Sequence, residues 1–224
     1  MYTIVWVSES SLSSNPHKNR VVHGLLRGIV RGQWKGGDRF TEAEAVERFA
    51  VSRTPVREAL LELASLGMVV LKRNCGAMFL PFEEAEVREL YGVRSVLEEA
   101  AARLAAVRMP VPRVRELMQE CERINGRSPD FGWRLDREIH AAIATWSESR
   151  RLAQEIARYE QLVRAVRDAV GMTVPNIQGT TVEEHLALLG AIQRRDPELA
   201  AGEMRRHLRQ AADTAVEALL RIRA

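Results

Sequence analysis

Asp136 and His140 stand four residues apart in the stretch RLDREIHAAIAT. On a helix both side chains leave the same face one turn apart, and a carboxylate beside an imidazole can grip a metal. His185 in EEHLALLGAI and His207 in MRRHLRQA each neighbour leucines, on separate stretches with helical spacing. One histidine at a core-facing position is ordinarily a satisfied core residue. Three of them with an aspartate, spread over the helices of one bundle, are the kind of set that facing helices assemble into a metal site. An Asp/His3 set suits Zn, Ni, Mn or Fe and leaves positions open for a ligand. Arg94 lies on the helical stripe of Leu90, Val93, Leu97, Ala101 and Leu104. A guanidinium buried there needs an anion. Two partners fit: an internal glutamate such as Glu98, one turn on, or the carboxylate of a bound acid.

A second group of residues suits a different chemistry. In VSRTPVREALLELASLG, Arg53 and Arg57 are four apart, so one helix face carries two guanidinium groups. Arginine reads guanine bidentately at O6 and N7. Ser52 and Thr54 are short hydroxyls at the helix start, suited to phosphate oxygens, and the helix N-terminus itself favours an anion. Lys72 and Arg73 follow at the end of a predicted strand. Arg57 and Glu58 could equally form a solvated face.

These residues need elements to position them. NRVVHGLLRGIVR predicts a first helix from residue 19, with Val21, Val22, Leu25, Leu26 and Ile29 inward. Thr41 and Glu44 make a capping box for a second. Ser52 or Thr54 caps the third, Pro55 falls in its first turn, and Gly67 suits a left-handed C-terminus. MVVLKR and AMFLP then predict a hairpin around NCG. Only Ala50, Val51 and Ser52 separate the second and third helices, a winged helix-turn-helix order. From residue 82 the spacing predicts about six helices: 83–108, 111–125, 130–146, 148–171, 181–195 and 197–222. Thr181 with Glu184 predicts one cap and Asp196 before Pro197 another. The expected fold is mainly α, an N-terminal winged helix-turn-helix followed by an all-α bundle. The expected boundaries are a flexible arm over 1–18, the DNA-binding unit over 19–80 and the helical unit over 82–224.

Charge agrees with that division. Residues 1–80 hold eleven Lys/Arg against seven acids, and the rest of the chain is slightly acidic, so the net +3 comes from the N-terminal third. Positive charge at that end suits nucleic acid. Cys75 and Cys121 are far apart and predict no disulfide, as in a reducing cytosol. No apolar run approaches a membrane span, and the first fifteen residues make a poor signal peptide. The expected location is cytoplasmic, with no membrane partner.

GDRFTEAEAVERFAVSRTPVREALLELASLGMV closely resembles the winged-helix domain of GntR-family bacterial transcription regulators, in which SRTPVREAL is close to the usual wording. The resemblance covers residues 19–80. It implies DNA contacts at Ser52, Arg53, Thr54 and Arg57, with a wing near Gly76 approaching the minor groove. The chain departs from the family with Asn74 and Cys75 before the wing glycine and with Ala43 where a further arginine often stands. Residues 83–222 look like the FCD domain, the effector-binding bundle of the FadR subfamily. That resemblance implies metal ligands at Asp136, His140, His185 and His207, and Arg94 facing an effector pocket. Together they imply a homodimeric regulator, expected to be a repressor, of a palindromic operator on double-stranded DNA. A small carboxylate bound at a divalent metal would switch it. A direct metal sensor and a metal-dependent hydrolase with a DNA-binding domain are the alternatives. The sequence carries no HExxH, no GxSxG and no phosphate loop, and an enzyme is not expected.

Overall fold

The computed structural model describes residues 15–72, 76–123, 129–170 and 177–224. The chain divides after Phe82 into two compact units.

The first unit runs α1 (Pro16–Val30), β1 (Arg39–Phe40), α2 (Glu42–Phe49), α3 (Arg53–Ser65), β2 (Val69–Lys72) and β3 (Gly76–Phe79). Helix α1 starts three residues before the expected 19. Asn15 accepts from the backbone N–H groups of His17 and Lys18, and Pro16 fits the first turn, where its missing donor is not needed. Residues 1–14 of the expected arm lie outside the described residues. Thr41 and Glu44 form the expected capping box on α2. Ser52 holds the N-cap position of α3 but its side chain makes no cap hydrogen bond. Gly67 has the expected left-handed backbone, φ 71°.

The sheet has an extra member. β3 pairs antiparallel with β2, as the hairpin predicts, and also with β1, giving the order β1-β3-β2. Two residues are too short to show an alternating pattern. The inward faces of α1 and α3 (Val21, Leu25, Ile29, Val56, Leu60 and Leu63) pack together, and Phe40 and Phe79 of the sheet are buried as well. Trp34 stacks on Phe79 at 4.9 Å between ring centroids.

The second unit comprises α4 (Glu84–Arg108), α5 (Val111–Arg123), α6 (Pro129–Trp146), α7 (Arg150–Val170), α8 (Ile177–Gln193) and α9 (Pro197–Arg223). Helix α4 is its axis, packed most extensively on α9 and also on α6, α7 and α8. Asp196 caps α9 through Leu199 N–H, as expected. The predicted cap at Thr181 is overturned, because α8 already begins at Ile177. Glu184 is thereby placed inside the helix, where its carboxylate meets a histidine instead of a backbone amide. The predicted α4 stripe is also corrected in part. Leu90, Arg94 and Ala101 are buried, but Val93 faces outward. Among the described residues no helix is long and apolar enough to cross a membrane.

Candidate metal centre and nucleic-acid interface

Asp136 and His140 lie on consecutive turns of α6, His185 on α8 and His207 on α9, and all four are buried. One ligand atom from each falls within 4.8 Å of every other. His140 Nε2 is 3.5 Å from Asp136 Oδ1, His185 Nε2 3.3 Å and His207 Nε2 3.6 Å. His140 Nε2 and His207 Nε2 are 3.1 Å apart. Bonds of about 2.1 Å to one ion would separate neighbouring ligand atoms by roughly 3.0–3.4 Å, from octahedral to tetrahedral. The spacing therefore suits a single ion.

The outer partners fit the same chemistry. His140 Nδ1 meets Glu98 Oε2, and His207 Nδ1 meets Glu184 Oε2 at 2.8 Å. An imidazole donating from Nδ1 to a carboxylate keeps its Nε2 lone pair free and basic. The Nε2 atoms of His140 and His207 face one another at 3.1 Å, a pair that a shared proton or a shared metal ion can bridge. His185 Nε2 is buried and makes no hydrogen bond despite its closeness to Asp136.

Charge is dense around the centre. Arg167 on α7 donates to Asp136 Oδ2 at 2.5 Å and lies over the Trp133 ring at 4.3 Å. Arg94 is fully buried and its Nε donates to Glu98 Oε1 at 2.8 Å, so the internal glutamate is its partner in this structure. Glu160 stands 3.8 Å from Arg94 and 4.0 Å from Arg167. Burial alone would raise Asp136, but Arg167 and the three imidazoles hold its carboxyl well below the ordinary range. Burial likewise opposes ionisation of Glu98, yet Arg94 and His140 bring it to about 2. Burial pushes His185 down to about 4, the neutral form that a ligand needs. His140 is opposed by burial and driven the other way by Glu98 and Asp136, to about 10.

Sequence reasoning named the four clustered residues and Arg94. It missed Arg167, Glu160 and Glu184, and gave Glu98 no part in holding His140. The i, i+4 spacing of Arg94 and Glu98 was a usable signal. The other contacts join different helices and leave no spacing to read.

In the first unit, Arg53, Arg57, Lys72 and Gly76 line one groove with Thr41, Glu42 and Ala43. Ser52 and Thr54 are exposed at the N-terminal end of α3. Arg57 is not a free side chain. Its Nε donates to both oxygens of Glu42 at 2.9 Å. Lys72 is exposed and pairs in register with Gly76. Gly76 has φ 81°, and a Cβ there would lie 2.3 Å from the Phe40 carbonyl oxygen. Only glycine fits that approach of β3 to β1. Arg73, with Asn74 and Cys75, lies outside the described residues.

Comparisons with known proteins agree with both halves. The family model described as bacterial regulatory proteins, gntR family, matches residues 17–79, and the FCD domain model matches residues 89–210. The HTH-type transcriptional repressor RspR of Escherichia coli K12 is 26% identical over 213 residues, 92% of each chain. A probable D-xylose utilization operon transcriptional repressor of Paenarthrobacter nicotinovorans is 28% identical over 82% of each chain. Among solved structures, E. coli McbR/YncC is similar in fold. Its TM-score is 0.63 at 20% identity, over 90% of this chain and 97% of that one. The gntR family and the two repressors named above are transcription regulators, not enzymes. This chain belongs to the GntR family of bacterial transcription regulators, in the subfamily whose C-terminal domain is of the FCD type.

Proposed function

We propose that this regulator is a homodimeric repressor, bound to a palindromic operator and switched by a small organic acid held at a divalent metal in its C-terminal unit. The observation that carries the reading is the convergence of three imidazole nitrogens and the Asp136 oxygen at metal-ligand spacing, with carboxylates behind two of the imidazoles. Asp136, His140, His185 and His207 would hold Zn, Ni, Mn or Fe, and Glu98 and Glu184 would orient the rings. A bound divalent ion supplies a Lewis-acidic centre with positions left for a carboxylate. Arg94 uses one of its five donors on Glu98, and Arg94 and Arg167 both stand near Glu160. An acid arriving at the metal competes with Glu98 and Glu160 for these two guanidinium groups. Its effect on DNA binding equals its preference for one placement of the DNA-binding units over the other.

On the DNA side, Arg53 and Arg57 read bases in the major groove, and Ser52, Thr54, Lys72 and Arg73 meet phosphates. Gly76 lets the wing strand lie close to β1 as it nears the minor groove. Two copies read the two halves of a palindrome. Acting on the chromosome, the protein works in the cytoplasm. The relatives described as repressors support repression as the output. One observation favours a second reading, direct metal sensing: Glu98 already neutralises Arg94.

A thermal-shift screen tests both readings. Metal-stripped protein, and protein restored in turn with Zn, Ni, Mn or Fe, is mixed with sugar acids, hydroxy acids, dicarboxylates and fatty acids. Ligand that binds the native state raises Tm. A shift with one acid class, seen only with metal, supports the effector reading. Metal stabilisation with no response to any acid, together with metal-dependent DNA binding, supports direct sensing. No stabilisation by any of the four metals refutes the metal site.

A further inference from the structure

Glu42 and Arg57 join the two helices of the helix-turn-helix, in the groove that also holds Arg53, Lys72 and Gly76. Glu42 is the first residue of α2, where the positive end of the helix dipole suits a carboxylate. Arg57 stands on the second turn of α3. The pair is open to solvent, with 63% of the Arg57 side chain and 32% of the Glu42 side chain exposed. An ion pair in that setting adds little to stability, so stability does not account for an acid on the surface proposed to meet DNA. The contact is one-sided. Both Glu42 oxygens, 2.9 Å away, take the same donor, Nε. The Nη1 and Nη2 edge at the tip of the guanidinium is left to another acceptor. Two parallel N–H groups on that edge match guanine O6 and N7. Held at Nε, the side chain gives up rotamer freedom before DNA arrives. The pair also carries no net charge. It is weakly drawn to phosphates, while a neutral base edge read by directed hydrogen bonds is still a good partner.

We infer that Glu42 is a positioning residue for base reading: it fixes Arg57 tip-first toward one guanine and withholds the guanidinium from phosphates. The inference rests on the base-reading role proposed above for Arg57 and adds what makes that role selective. Glu42 itself touches no base. It sharpens discrimination and lowers overall affinity, because a carboxylate in the interface repels the DNA backbone. Its removal therefore has two opposite effects. The preferred guanine is read less strictly, and any duplex is bound more tightly. A merely structural part would weaken binding to every duplex together. The capping box that starts α2 is made by Thr41 and Glu44 without Glu42, and alanine favours a helix, so Glu42→Ala should leave the unit folded.

The full chain, metal-stripped or Zn-restored according to which form binds duplex DNA more tightly, is first offered a random duplex library. Three duplexes of equal length are then compared by fluorescence anisotropy at several salt concentrations: the selected one, the same with adenine for the guanine whose preference Arg57→Ala loses, and an unrelated one. Wild type should favour the guanine by about 5–150-fold. Glu42→Ala should cut that ratio at least about threefold. It should also tighten binding to the unrelated duplex and steepen the salt dependence by about one released cation per copy. Glu42→Gln keeps an acceptor for Nε without the charge, so its ratio should lie nearer wild type. In an Arg57→Ala background, Glu42→Ala should not change the ratio further. A ratio unchanged by Glu42→Ala, where Arg57→Ala abolishes it, overturns the inference and leaves Arg57 as a base reader. Equal weakening on all three duplexes also overturns it and gives Glu42 a structural part only. A wild-type chain that selects no motif, or a motif that Arg57→Ala does not alter, overturns the base-reading role and the inference with it.

Discussion

Replacing Glu184 with alanine removes the carboxylate 2.8 Å from His207 Nδ1 and leaves the four proposed ligands in place. The side chain is half-buried on α8, and alanine is the best helix former, so the helix should persist. Loss of such an outer partner ordinarily costs about 10–100-fold in metal affinity. Coulomb attraction leads to the same range. Across the imidazole, the carboxylate would stand about 6–7 Å from a bound divalent ion. Their attraction is roughly 1.3 kcal/mol at a water-like dielectric constant and about 5 kcal/mol at an effective value of 20. The lower figure alone is about tenfold. Glu184→Gln retains an acceptor for Nδ1–H but not the charge, so it should lose about tenfold and Glu184→Ala more. Competition with a fluorescent chelator for Zn at fixed pH and ionic strength measures both. Glu183→Gln, an exposed neighbour, is the control and should stay within about twofold of wild type. Wild-type affinity in Glu184→Ala would show that this carboxylate does not orient a metal-bound His207.

Three further outcomes are expected. Arg57→Ala should lose preference for one guanine per half-site, about 1–3 kcal/mol, in selection from a random duplex library; an unchanged motif removes Arg57 from base reading. Burial pushes the Cys121 thiol up to about 12, so it is almost wholly protonated at pH 8. In a Cys75→Ser background, iodoacetamide should label the native chain far more slowly than the denatured one, and equal rates would contradict the burial. Glu98 has a folded pKa of about 2 against an ordinary 4.5. Its contribution to stability is complete above the ordinary value and is lost as pH falls from about 4.5 through 2. Glu98→Gln should lower stability at neutral pH by about 3–5 kcal/mol, because Arg94 stays buried without its nearest counter-charge. The variant should also show a flatter melting temperature between pH 5 and 2. An unchanged Tm at pH 7 would mean that Glu160 suffices for Arg94.

Helical spacing and caps made most of the fold legible. Asn15 and Thr181 show the limits of local signals. The Asn15 cap and Pro16 lengthen α1 at its start, while α8 begins at Ile177 and runs through the capping motif at Thr181. On α4, an apolar stripe was read as one buried face. The structure divides it between an inner side with Leu90, Arg94 and Ala101 and an outer side with Val93, where Val96 is exposed as well. A helix apolar on both sides has two things to bury against, and periodicity alone does not separate them.

The candidate centre was legible where its residues share a helix or carry a distinctive type, and illegible where they only balance charge. Asp136 and His140 announce themselves by spacing, and histidines are scarce enough to be paired by eye. Glu98, Glu160, Glu184 and Arg167 are drawn from thirty acids and thirty-three bases, and nothing local marks them. Their meaning lies in the sum. Asp136 and these three glutamates surround the cluster, with Arg94 and Arg167 as the opposing charges. With neutral imidazoles the group is two negative charges in excess, in a setting where unbalanced charge is costly. A divalent cation balances it and a monovalent one does not. The same excess draws a proton to His140, pushed up to about 10 by Glu98 and Asp136 against its burial. A divalent ion at the Nε2 atoms competes with that proton, so its binding should release protons to solvent. Calorimetry at pH 7.5 in two buffers of different ionisation enthalpy counts them. Metal uptake with no buffer dependence would mean that the ion binds elsewhere or that His140 is already neutral.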